Sequence, residues 1–176
     1  MRRLPETIPN PGASQLALSN GAANAGTGSG HQLTGQAVWL QPQWRIGLAA
    51  ARTNAQAGNR RVASVFAGLR TGPLAWLGEV DAVQDDGFPE GRRHLLASLA
   101  EVNWALARGH NLKATYEYFD PDRKVAQDQQ VRASLVYEFT PLPFVPLRAG
   151  IRRYDGIPQN ELQNRRLLFF EIHGFL

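Results

Sequence analysis

From Leu33 onward, apolar and polar residues alternate in runs of roughly eight to twelve residues, each closed by turn-forming residues, which is the signature of half-buried strands. Val131 to Phe139 shows it best. Val131, Ala133, Leu135, Tyr137 and Phe139 fall on one face, and Arg132, Ser134 and Glu138 on the other. In the same way Leu112, Ala114, Tyr116 and Tyr118 oppose Lys113, Thr115 and Glu117, while Val145, Leu147, Ala149 and Ile151 oppose Arg148, Gly150 and Arg152. Weaker runs compatible with strands cover 33–40, 44–52, 61–70, 74–82 and 94–106, and a ninth covers 165–176. The run at 94–106 also has helix-forming composition, so a helix of about ten residues is an open alternative there.

The connections predict topology. Short turns are expected at 41–43, 71–73, 108–111 and 140–143, and longer polar loops at 53–60, 84–92, 120–128 and 155–164. Short connections at one end and long ones at the other describe an antiparallel up-and-down β-barrel of the transmembrane type, with short periplasmic turns and long external loops. On that scheme 165–176 runs down to the periplasm and the strand from Leu33 also descends, so an even strand count requires one more strand before Leu33. Ser14–Ser19 is the local candidate, followed by a Gly-rich loop over 20–32, which makes about ten strands. The expected organisation is an N-terminal segment, 1–32, and barrel strands over 33–176. Met1 to Glu6 does not read as a secretory signal, so the expectation is a barrel whose beginning lies outside this sequence.

Composition narrows the classes. With 43% hydrophobic residues the chain has the material for a folded domain. It has no cysteine, which removes disulfides, thiolate metal sites and covalent haem attachment. The formal charge of +4 comes from arginine doublets scattered beside turns rather than from a basic stripe with interleaved aromatics, so nucleic acid is not expected as a partner. No apolar run is long enough for a membrane helix, a test that leaves strands untouched.

At the C-terminal end, Leu168, Phe170, Ile172, Gly174 and Leu176 alternate with Phe169, Glu171, His173 and Phe175. This segment resembles the assembly signature that closes Gram-negative outer-membrane proteins, in which alternate hydrophobic residues end in a terminal aromatic. It departs from that pattern in ending on Leu176, with Phe175 one place earlier, and in having Gly174 where an aromatic is common. The resemblance implies an outer-membrane location and recognition by the barrel-assembly machinery through Leu168, Phe170, Ile172, Phe175 and Leu176. More loosely, Tyr116 to Arg123 and Arg153 to Asn160 look like strand-to-loop junctions of large porin-type barrels, including the partners of multihaem electron conduits. That likeness implies a periplasmic or multihaem partner protein.

Candidate chemistry lies on the polar face. Glu79, Asp81, Glu101, Glu117, Glu138 and Glu171 share it with Lys113, Arg132, Arg148 and Arg152. Two carboxylates could form an acid/base pair. A cross-strand ladder of opposite charges lining the lumen accounts for all ten at once and is the preferred expectation. His31, His94, His110 and His173 have no metal-ligand spacing, and the Asp-rich loops at 84–87 and 120–124 lack the spacing of a calcium loop, so no metal or cofactor is expected. Trp39, Trp44, Trp76 and Trp104, with Tyr116, Tyr118, Tyr137 and Phe144, fall mostly near strand ends, where a membrane barrel carries its aromatic girdles. The function expected is a pore or protein sheath through the outer membrane, in contact with its lipid and without catalysis of its own. A soluble lipocalin-like barrel binding a small apolar ligand and an outer-membrane enzyme using inward carboxylates are the alternatives.

Overall fold

The computed structural model describes residues 31–55, 58–142, 144–158 and 164–174, and all regular structure in them is strand. In chain order these are β1 (His31–Leu40), β2 (Trp44–Ala55), β3 (Gly58–Thr71), β4 (Leu74–Asp85), β5 (Arg93–Ala107), β6 (His110–Asp120), β7 (Gln130–Leu142), β8 (Val145–Asp155) and β9 (Arg165–Ile172). They form one sheet whose spatial order equals the sequence order. Every pairing is antiparallel. The fold is thus an all-β, antiparallel, up-and-down sheet. Among the described residues β1 and β9 each bond a neighbour on one side only, so the sheet has two free edges. The candidate strand at Ser14–Ser19 lies outside the described residues, as do Phe175 and Leu176.

The helix alternative at 94–106 is not adopted. β5 pairs with β4 from Arg93 to Trp104 and with β6 from Leu96 to Ala107, and two ladders outweigh a weak helical propensity. One predicted loop is corrected. Thr53, Asn54 and Ala55 pair with Arg60, Asn59 and Gly58, so the connection at 53–60 is a tight hairpin in place of a long loop. One hydrogen bond and one ion pair fix this extension: the Asp86 amide donates to the Asn59 carbonyl at 2.9 Å, and Arg60 pairs with Asp85 at 3.8 Å. Gly58, at φ 143°, takes a backbone conformation that side chains avoid. The connections at 86–92, 121–129 and 156–164 are long, and those at 41–43, 72–73 and 108–109 are short.

Residues directly opposite across an antiparallel pair point to the same side, so the registers carry two faces through all nine strands. Among the described residues, every buried side chain apart from Asp120 at the end of β6 lies on one of them, called the crowded face below. A small apolar cluster of Val62, Val83, Leu95, Ala97 and Phe119 sits there among charged neighbours. With contacts concentrated between adjacent strands, that crowding comes from the sheet curling toward this face. Glycine assists the curl at two places. Gly47 lies opposite Phe66 and Gly150 opposite Phe169, and each ring covers the space where the glycine's Cβ would be.

Candidate functional site

The registers bring together on the crowded face all ten charged residues that alternation singled out: Glu79, Asp81, Glu101, Lys113, Glu117, Arg132, Glu138, Arg148, Arg152 and Glu171. Many of them bond across strands. Arg132 on β7 donates through both Nε and Nη2 to the Glu117 carboxylate on β6. Arg148 on β8 donates to Glu138 on β7 at 2.6 Å, and Glu171 on β9 stands opposite Arg148. Glu101 on β5 accepts from Asn103 Nδ2 at 2.6 Å and from Thr115 Oγ1 at 3.1 Å, with Lys113 Nζ 3.7 Å away. Arg152 donates to the Tyr154 hydroxyl at 3.3 Å and stacks over the Phe169 ring at 5.2 Å. Opposite charges on neighbouring strands therefore hold one another in fixed positions, as a cross-strand ladder requires.

The ladder is not uniform around the sheet. β4 contributes Glu79, Asp81 and Asp85 to this face and no cation, whereas β8 contributes Arg148 and Arg152 and no acid. Glu79, Asp81 and Asp85 are all buried, standing opposite Phe66, Ser64 and Arg60 of β3 in turn. A recess lined by Arg45, Phe66, Leu77, Glu79 and Leu99 has a volume of about 10 Å³, room for one water molecule at most. Among the described residues, no group of three or more His, Asp or Glu side chains is arranged to hold a metal.

The other face, called the open face, is apolar and exposed. It carries Ile46, Leu48, Val65, Leu69, Val80, Leu135 and Ile151. On β9, Leu168, Phe170 and Ile172 are 79%, 65% and 64% exposed. Alternation placed the four tryptophans near strand ends without choosing a side or an end. In the structure Trp39, Trp44, Trp76 and Trp104 all project from the open face, and all lie within three residues of the short-turn end of their strands. The Trp39 and Trp44 rings are 6.2 Å apart, and the Trp76 indole donates to Thr71 Oγ1 at 3.0 Å. Nearby, His110 Nδ1 meets the Tyr137 hydroxyl at 2.5 Å and its ring stacks on Phe139. Tyr116 and Tyr118 lie on the open face toward the long-loop end.

Three of the arginine doublets expected beside turns lie inside strands. A strand sends consecutive side chains to opposite faces. Arg60, Arg152 and Arg165 accordingly take the crowded face, and Arg61, Arg153 and Arg166 the open one. The doublets themselves were the available signal for this split.

No protein-family model matches the chain, and no curated protein matches it. What the fold and the two faces define is an antiparallel up-and-down sheet whose crowded side holds the ten-residue charge ladder around a small apolar cluster, and whose open side exposes many large apolar groups.

Proposed function

We propose that this chain forms wall of an outer-membrane β-barrel, with the crowded face lining a polar lumen and the open face meeting lipid. The observation that carries this reading is the reversed polarity of the two faces. A soluble sheet covers its apolar side with a second layer, whereas here Ile46, Leu48, Val65, Val80, Leu135, Ile151, Leu168 and Phe170 stand exposed together. A surface of that kind suits hydrocarbon. Strands of 8 to 15 residues are long enough for most of the span of about nine to eleven residues that a tilted transmembrane strand needs. Tryptophans gathered at one end of the open face suit an interfacial girdle.

Within this reading the pore or sheath performs no catalysis. Every charged group on the Glu117/Arg132 and Glu138/Arg148 rungs is engaged with an opposite charge, which suits a structural and selectivity role. The acidic β4 and basic β8 would set a transverse field across the passage. Closure removes the free edges, which lipid would not tolerate. Leu168, Phe170 and Ile172 on β9 are the accessible part of the segment that the barrel-assembly machinery would read. A periplasmic or multihaem partner remains part of the proposal for a sheath-type barrel.

The absence of cysteine makes the test direct. Single substitutions Thr115→Cys and Ser134→Cys sit on the crowded face, and Val80→Cys and Leu135→Cys on the open face. In vesicles, a water-soluble thiol reagent should label the first pair, and a lipid-borne quencher should reach fluorophores attached to the second. A chain that remains soluble without detergent, with Val80→Cys and Leu135→Cys shielded in a protein core, would overturn the reading.

A further inference from the structure

The open face ends in cations at the end of the sheet that carries the β2–β3 hairpin and the long loops. Arg52 and Arg61 stand directly opposite each other on β2 and β3, and Arg153 and Arg166 do so on β8 and β9. All four lie within three residues of the long-loop end of their strands, and all are exposed. Like charges directly opposite across a sheet repel, with Cβ atoms about 5 Å apart. On the crowded face Arg132 meets Glu117 and Arg148 meets Glu138. The open-face four are served differently. Arg153 reaches Asp155 on its own strand at 2.9 Å, and Arg52 bonds the neutral Asn54 at 3.1 Å. Among the described residues no acid lies within ion-pair distance of Arg52, Arg61 or Arg166; Arg61 does act electrostatically on Asp86, which is bonded to Arg92 at 2.5 Å.

Two arginine pairs at the same end of the sheet concentrate positive charge that Asp155 and Asp86 offset only in part, and an anion between each pair would offset the rest. A phosphate monoester fits that requirement, since it carries close to two negative charges and accepts the forked hydrogen bonds that guanidinium donates. We propose that Arg52/Arg61 and Arg153/Arg166 are two clamps for the phosphate groups of a phosphorylated glycolipid in the leaflet at the long-loop end. This rests on the barrel reading above and adds to it an orientation. Tryptophans mark one leaflet, and phosphate-binding arginines mark the other.

The test uses the full chain in neutral phosphatidylcholine vesicles, with or without diphosphorylated lipid A, and reads the midpoint of thermal unfolding. Lipid A should raise that midpoint by about 2–4 °C, the shift a modest stabilisation gives in a protein of this size. The same lipid without its phosphates should not. Arg61→Gln combined with Arg166→Gln should abolish the shift. Arg61→Lys combined with Arg166→Lys keeps the charge but loses the fork, and should retain only part of it. An unchanged shift in the Gln variant, or an equal shift from inorganic phosphate alone, would overturn the clamps. Insertion into both vesicle types with equal midpoints would overturn the clamps and leave the barrel standing. Failure to insert into either would overturn both.

Discussion

Adding one methyl group at Gly47 tests the account of how the sheet curls. A Cβ built there would lie 2.1 Å from Phe66 Cζ and 2.6 and 2.7 Å from its two Cε atoms, against an ordinary carbon contact of about 3.5 Å. Rotating the ring gives no relief, because all three atoms of its leading edge are too close. Phe66 is itself buried, held between Gly47 on β2 and Glu79 on β4, so the ring must move more than an ångström against packed neighbours. Overpacking of this kind costs about 1–3 kcal/mol. Replacing glycine by alanine inside a strand ordinarily gains about 0.5–1 kcal/mol. The balance for Gly47→Ala is a loss of about 1–2 kcal/mol. Gly35→Ala on β1 is the control, since its Cβ would meet nothing within 4 Å and should be neutral or stabilising. Phe66→Leu removes the clashing ring edge, so Gly47→Ala in that background should lose most of its cost. Urea unfolding followed by tryptophan fluorescence would supply all the values of the cycle. A Gly47→Ala cost no larger than that of Gly35→Ala, or one that Phe66→Leu leaves intact, would refute the steric argument.

Three further outcomes are expected. Glu117→Gln strips the half-buried Arg132 of its charged partner and should lower stability by about 1–2 kcal/mol, with Glu117→Gln/Arg132→Gln recovering part of the loss in the same unfolding assay. In the loop after β4, the hydrogen bond from Arg92 holds the Asp86 carboxyl below its usual range, so the pair's contribution is present above the ordinary carboxylate pKa and disappears as pH falls through the depressed one. Burial, and then Asp120, push Asp128 the other way, so its charge opposes folding above its raised pKa and that penalty fades on acidification. Asp86→Asn should therefore destabilise at neutral pH and Asp128→Asn should not, with both differences shrinking in acid, as paired melting curves across pH would show. Finally, Arg148→Glu with Arg152→Glu should move the reversal potential of a reconstituted channel toward cation selectivity under a salt gradient, and an unmoved potential would place those residues away from the ion path.

Much of the sheet was legible because period two is a local property. Val131 to Phe139 states its two faces within nine residues, and β7 follows them with Val136 buried and Leu135 exposed. The ten polar-face residues come together for the same reason, since antiparallel register preserves parity from strand to strand. What escaped the sequence depends on neighbours that are distant along the chain. The polar stretch around Asn54 and Asn59 reads as loop, yet β4 bonds the extension of β3 and turns it into hairpin. Gly47 reads as a weak point in a strand until Phe66, nineteen residues later, is found over it. The arginine doublets look like punctuation beside turns, and only the pairing registers show that Arg61, Arg153 and Arg166 share a side.

Among the described residues each strand bonds only with its neighbours in sequence, and the consequence is evolutionary. A duplicated hairpin, cut at two turns on the same end, slots into such an array by breaking a single seam and remaking it on both sides of the copy. No other pairing changes, and no crossover has to be rethreaded. Copies must enter in twos so that the ends stay on their original sides. The width of the sheet is thereby free to vary while the charge pattern on existing strands is inherited unaltered.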